Sequence, residues 1–300
     1  MFDRAILALD LSPAGEDMIE TIPALMALGV RTCTLVHVDR LQDDPLEGPV
    51  AAHPRAVLAD YEERARAAGS RAGAAAGAEA GADARADAGA GGEMEIRTDP
   101  RLGEPASEIL KAAAECGASL IVMGTRSRSR IAEAFMGSVA RDVLETSSVP
   151  VLLLHVDPDG QLNERSKQGF SGRILCVTDF SETADRAFDL ALDLASPARL
   201  PVTVLHATPW ALGEDVKAEG ALEEMGERLR SAHVPDVQTL IAHQTPTDAI
   251  LATAETESPS LLVMGTQGRG FLGRMVLGSV SREVARTWTG PLLLVPPKHP

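Results

Sequence analysis

Short apolar runs bounded by charged or turn-forming residues recur along the chain. Residues 5–9 (AILAL) end at Asp10, residues 32–38 (TCTLVHV) are apolar and β-branched, and residues 120–123 and 149–156 are apolar nearly throughout. Runs this short, apolar at consecutive rather than alternate positions, predict strands buried on both faces. Between them lie stretches with helical spacing. Ser12-Pro13 reads as a helix start followed by Ile19, Ile22, Leu25 and Met26 on one face. A charged, Ala-rich segment at 56–68, a stretch through Ile109, Leu110 and Ala113, and one through Val139, Val143 and Leu144 predict further helices. Residues 93–98 (EMEIRT) alternate and predict the remaining strand, so the unit reads β-α-β-α-β-α-β-α-β.

The pattern then occurs again. Residues 157–172 are polar and carry Pro158, Gly160 and Gly169, the composition of a linker. Beyond them, strands are expected at 173–178, 202–207, 237–242, 261–264 and 292–295, with helices at 183–195, 214–230, 247–257 and 278–288. Asp10 corresponds to Asp179 by a shift of 169 and Gly124 to Gly265 by a shift of 141, so the first copy is 28 residues longer. That excess matches the Ala/Gly-rich insertion at about 69–92, expected to be a frayed helix extension running into a mobile loop. The expected organisation is a first domain at 1–157, a linker at 158–172 and a second domain at 173–300. Each domain is predicted to be a doubly wound, parallel, five-stranded α/β sheet of Rossmann-like form.

Composition narrows the function. The apolar fraction of 45% supports two real cores, while 3% aromatics means that Leu, Val, Ile and Ala must build them. A net charge of −15 argues against a nucleic-acid partner, which needs a basic face. No apolar run reaches membrane-spanning length, and residues 1–12 lack a signal-peptide core, so a cytoplasmic protein without membrane attachment is expected. Cys33, Cys116 and Cys176 are scattered without a CxxC pair, and the seven histidines form no ligand pair, so neither disulfides nor a metal site is expected. His37 and His206, at equivalent strand ends, read as satisfied, half-buried histidines rather than catalytic bases.

The candidate chemistry lies at the ends of the fourth strands. Residues 262–291 read LVMGTQGRGFLGRMVLGSVSREVARTWTGP, and residues 121–150 read IVMGTRSRSRIAEAFMGSVARDVLETSSVP. Glycines at Gly265 and Gly268 would admit φ > 0 and a close approach of the backbone to an anion. Gly278-Ser279 would present free N–H groups and a hydroxyl at a helix N-terminus, where negative charge is favoured. Asp10 and Asp179 would face the same crevice at the switch point of each sheet, or serve as turn or capping residues. The string from Gly268 to Gly273 spells GxGxxG but follows a fourth strand with no acidic residue about 20 positions on, and no P-loop motif occurs.

Gly265, two residues, Gly268, nine residues and Gly278-Ser279 form a spacing that resembles the ATP-binding branch of the universal stress protein family. The stretch TDFSETAD from Thr178 to Asp185, the strand ends LHA and VHV, and the two MGSV- or LGSV-type helix starts resemble it too, across nearly the whole chain. The resemblance implies ATP as ligand, with accompanying magnesium left open, and contacts from Thr178, Asp179, Ala207, Met264, Gly265, Gln267, Gly268, Gly278, Ser279, Val280 and Ser281. In the first copy it points to Asp10, Val38, Met123, Gly124, Arg126, Ser127, Gly137, Ser138 and Val139. There Ser127 stands where the middle glycine belongs, flanked by Arg126, Arg128 and Arg130, so that copy reads either as a second nucleotide site or as a structural one. The family resemblance further implies pairing of the domains through their last strands, as an internal pseudo-dimer, with a homodimer left open. With no catalytic nucleophile or base pair near the loop, a regulatory stress-response role is expected ahead of catalysis. Slow ATP hydrolysis and a purely structural interaction module remain alternatives.

Overall fold

The computed structural model describes residues 2–40, 53–79, 94–126, 136–157, 159–209, 215–268 and 277–298. In the N-terminal half the strands are β1 (Arg4–Leu9), β2 (Thr32–Asp39), β3 (Glu95–Leu102), β4 (Leu120–Arg126) and β5 (Val151–Val156). Its helices are α1 (Pro13–Ile19), α2 (Ile22–Ala27), α3 (His53–Glu79), α4 (Pro105–Cys116) and α5 (Ser138–Thr146). A short α6 (Glu164–Lys167) leads to β6 (Ile174–Thr178), α7 (Glu182–Ala198), β7 (Val202–Ala207), α8 (Asp215–Ser231), β8 (Val237–Ala242), α9 (Pro246–Glu257), β9 (Leu261–Gly265), α10 (Ser279–Thr287) and β10 (Leu292–Val295).

All ten strands form one sheet in the order β3-β2-β1-β4-β5-β10-β9-β6-β7-β8. Pairings within each half are parallel, and the halves meet where β10 runs antiparallel to β5. Strand order reverses direction between β1 and β4, and again between β6 and β9. Each such switch point opens a crevice beyond the carboxyl ends of the strands.

The consecutive apolar runs follow from helices on both faces. Leu7, Leu35 and Val122 pack into one core layer, while their neighbours Ile6, Val36 and Ile121 pack into the other. Burying a side chain of this size contributes about 1.5–3 kcal/mol, so a polar substitution on either face is costly.

Three elements differ from the sequence expectation. The first helix breaks in two at Glu20–Thr21, because Pro23 has no N–H to continue the ladder and instead opens α2, while Thr21 Oγ1 donates to Met18 O at 2.7 Å. β3 continues past residue 98 through Pro100, which an edge strand tolerates. The polar 157–172 stretch is tied to the body of the protein: Leu162 and Phe170 are buried, and Leu162 N donates to Asp17 Oδ2 at 2.8 Å. Within the Ala/Gly-rich insertion, α3 extends to Glu79, and residues 80–92 lie outside the described residues.

Candidate nucleotide site

In the C-terminal half the site starts at the end of β6. Thr178 Oγ1 accepts from Phe180 N at 2.9 Å, and Asp179 Oδ1 accepts from Ser181 N at 3.0 Å. This Asx turn holds Phe180 at φ 57°, a left-handed conformation rare for a bulky side chain. The N-terminal half repeats it, with Leu11 at φ 55° and Asp10 Oδ1 accepting from Ser12 N at 3.1 Å. Neither leucine nor phenylalanine advertises such a conformation, so the strain was not readable from sequence. The turn is one role of both aspartates.

The other oxygen of Asp179 points across the crevice. A Cβ placed on Gly268 would lie 2.6 Å from Asp179 Oδ2, so the glycine gives the carboxylate its room. Gly265, the last residue of β9, is packed as closely: a Cβ there would meet Thr183 Cγ2 at 2.8 Å and Gln267 O at 3.3 Å. Neither glycine has a positive φ. Of the two expected reasons for these glycines, left-handed backbone is corrected, and close approach is what the structure shows, here to Thr183, Gln267 and Asp179.

The loop between β9 and α10 is pinned at both ends. Thr266 N donates to Val295 O, and Gly278 N donates to Thr266 O, each at 2.8 Å. Ser281 Oγ, buried in the first turn of α10, donates to Gly265 O at 2.8 Å. Residues 269–276 lie outside the described residues. Gly278 is the N-cap of α10 and contributes no side-chain cap, and the first turn carries no acidic residue. The positive end of the helix therefore meets the crevice without an acid in its own first turn.

These parts enclose a cavity of about 330 Å³. Thr178, Asp179, Ala207, Met264, Gly265, Gln267, Gly268, Gly278, Ser279, Val280 and Ser281 all line it. Val177, Ala184, Pro246 and Ile250 line it as well and were missed. Pro246 and Ile250 stand one turn apart at the start of α9, and that i, i+4 pair beside a strand end was the available signal. His206 is satisfied, as expected: its Nδ1 lies 2.9 Å from Thr178 O, and its ring centroid is 4.5 Å from that of Phe180.

The N-terminal half holds a larger cavity, about 520 Å³. Asp10, Val38, Met123, Gly124, Gly137, Ser138 and Val139 line it. Arg126 is the last residue of β4, and its side chain and Ser127 lie outside the described residues. The glycines here are looser. A Cβ on Gly124 would meet only the side chains of Met18 and Val156, each at 3.3 Å, and one on Gly137 would meet nothing within 4 Å. His37 lines this cavity with Nδ1 2.8 Å from Leu9 O and Nε2 3.2 Å from Asp39 Oδ1.

Both cavities combine apolar walls with one aspartate and a helix N-terminus, an arrangement suited to a small ligand with an apolar body and an anionic end. Among the described residues no cluster of three or more His, Cys, Asp or Glu could hold a metal ion, and no helix is long and apolar enough to cross a membrane.

Comparison with known proteins agrees with this architecture. The family model described as the universal stress protein family matches residues 1–155 and again residues 171–296. A universal stress protein of Mycolicibacterium smegmatis is 26% identical over 276 residues, spanning 88% of this chain and 87% of its own length. One of Thermus aquaticus is 34% identical over 132 residues, which is 41% of this chain and 96% of that protein, the size of one repeat. The crystal structure of a universal stress protein from Archaeoglobus fulgidus matches with a TM-score of 0.73 at 24% identity, covering 99% of this chain and 98% of its own, a likeness of fold.

Proposed function

This chain belongs to the universal stress protein family, and from that premise we propose that it is a cytoplasmic, ligand-controlled stress-response module that binds ATP in the cavity of its C-terminal half. One observation carries the reading: the eleven positions that the family resemblance implies as contacts line a single cavity at a switch point of the sheet. In this reading Val177, Ile250 and Met264 take the apolar faces of the nucleoside, Asp179 its polar edge, and the backbone at Ala207 the adenine edge. Gly265 and Gly268 let the backbone approach the phosphates, which lie at the N-terminus of α10 beside Ser279. Any magnesium travels with the phosphate chain.

The N-terminal cavity is read as a second nucleotide site, since Asp10, Gly124 and Gly137-Ser138 keep their places around it. The β5–β10 seam is read as an internal pseudo-dimer, and regulation rather than turnover as the role, with ATP hydrolysis slow. The test is mass spectrometry of small molecules released from freshly purified protein, with calorimetric titration of ATP. One nucleotide per chain confines binding to one cavity, and two assign it to both. Absence of any adenine nucleotide together with absence of binding heat overturns the proposal.

A further inference from the structure

The two cavities share a plan but differ in charge along one wall. In the N-terminal half, β2 runs on through Asp39 to Arg40, and Arg40 lines the cavity at its exposed rim. The corresponding position in the C-terminal half, by the shift of 169, is Pro209, which takes no part in the cavity lining. Nearby acids are already engaged: Asp39 Oδ1 lies 3.2 Å from His37 Nε2, and Asp99 on the neighbouring strand pairs with Arg101 at 2.8 Å. Arg40 makes no ion pair among the described residues.

A second positive pole among the described residues is the N-terminus of α5, where Gly137 caps without a side chain and no acidic residue occupies the first turn. α5 follows β4, whereas Arg40 follows β2, and these strands flank β1 on opposite sides. The strand ends that carry the two poles lie two inter-strand spacings, roughly 10 Å, apart, so a phosphate chain at the helix and a second phosphoryl group at Arg40 would be anchored from different strands. Among the described residues the C-terminal cavity offers only the helix pole, and it is smaller, about 330 Å³ against about 520 Å³.

We propose that the N-terminal cavity is selective for adenine nucleotides that carry a second phosphoryl group apart from the 5′ chain, on a ribose hydroxyl, with Arg40 as the residue that recognises it. This rests on the nucleotide-binding reading and deepens it: the two halves take different members of one ligand class. A guanidinium meets a phosphoryl group through paired, charge-assisted hydrogen bonds, which proline at the equivalent position cannot make.

The experiment titrates full-length wild type, Arg40→Gln and Arg40→Lys with ATP, AMP, adenosine 2′,5′-bisphosphate and adenosine 3′,5′-bisphosphate in a calorimeter. Arg40 is exposed, so its variants fold as the wild type does. At least one bisphosphate should bind wild type about tenfold or more tightly than AMP does. Arg40→Gln should abolish that preference and leave AMP affinity unchanged, with Arg40→Lys intermediate. Which bisphosphate gains identifies the hydroxyl. Equal affinity for AMP and both bisphosphates, or a preference that survives Arg40→Gln, overturns the inference while the nucleotide-binding reading stands. Failure of AMP, ATP and both bisphosphates to bind overturns both.

Discussion

Gly265→Ala tests whether the glycines at the strand ends are there for packing. The added Cβ would lie 2.8 Å from Thr183 Cγ2 and 3.3 Å from both Thr183 C and Gln267 O. The first contact is about 0.6 Å short of the 3.4 Å at which ordinary contact begins. The neighbour is the first turn of α7, anchored by the Ser181 Oγ cap on Ala184 N at 3.2 Å and by fully buried Ala187 and Phe188, so it cannot retreat cheaply. Overpacking of this kind costs about 1–3 kcal/mol, offset by about 0.4–1 kcal/mol because alanine narrows the unfolded ensemble. A net loss of about 1–2 kcal/mol corresponds to a fall in melting temperature of roughly 2–8 °C. Gly124→Ala is the control at the equivalent position. Its Cβ would meet only Met18 Sδ and Val156 Cγ2, at 3.3 Å, and a thioether moves easily, so the net change should stay under about 1 kcal/mol.

The assay is thermal and urea unfolding followed by circular dichroism on both variants and on the double variant Gly265→Ala/Thr183→Ser. Removing the methyl should recover most of the loss, a coupling of about 1 kcal/mol. If Gly265→Ala and Gly124→Ala unfold alike, or the double variant recovers nothing, the packing argument is wrong. Calorimetry on the same samples separates stability from binding, since a displaced loop should weaken ATP binding even where the chain stays folded.

Three further outcomes are expected. His155 is fully buried and desolvation holds its imidazole below the ordinary value of 6.5. The unfolded chain therefore takes up a proton as pH falls below 6.5 while the folded chain resists it, and stability drops by up to about 1.4 kcal/mol per pH unit; urea unfolding between pH 7.5 and 5 should show a shallower slope for His155→Gln. Burial pushes the thiols of Cys33 and Cys176 up to about 12, so a thiol reagent should label Cys116 alone in the native protein and all three cysteines in denaturant. Ser181→Ala should cost about 1 kcal/mol through loss of its cap, whereas Ser12→Ala should be neutral or stabilising, because the buried Ser12 hydroxyl has no hydrogen-bond partner among the described residues; equal losses by chemical denaturation would refute the distinction.

The fold was legible because each strand is a consecutive apolar run between turn residues and the arrangement occurs twice, so one copy checked the other. The site was legible because Gly265, Gly268 and Gly278 mark it at fixed spacing. What stayed hidden is long-range. Nothing local marks Phe180 or Leu11 for a left-handed backbone; only the aspartate before each, folded back on the serine after it, imposes that conformation. The expectation of φ > 0 at the glycines failed, and the partners they approach were hidden, for the same reason. A missing Cβ at Gly268 is explained by Asp179, 89 positions away in the chain, and not by its own dihedral angles. Pro246 and Ile250 belong to the cavity because α9 packs over the strand ends; their i, i+4 spacing marks a shared helix face but not which strand ends that face covers.

The seam between the halves shows what covalent linkage permits. In a twofold homodimer each interface contact occurs twice; here equivalent positions have parted. Trp288, by the shift of 141, corresponds to Ser147. The indole is buried and carries the Arg165 guanidinium 4.9 Å from its ring centre, so α6 packs onto the C-terminal half. His155 reaches across from β5 with Nδ1 2.9 Å from Gly290 O and Nε2 3.2 Å from Ala285 O, whereas the equivalent residue is Pro296. Arg282 lies 3.6 Å from Glu145, but the mirrored pair would set Arg141 against Arg286, and each of those turns to an acid on its own helix instead. A single chain can therefore keep a symmetric sheet while its two seam faces specialise, and the same freedom extends to the two crevices that the sheet presents.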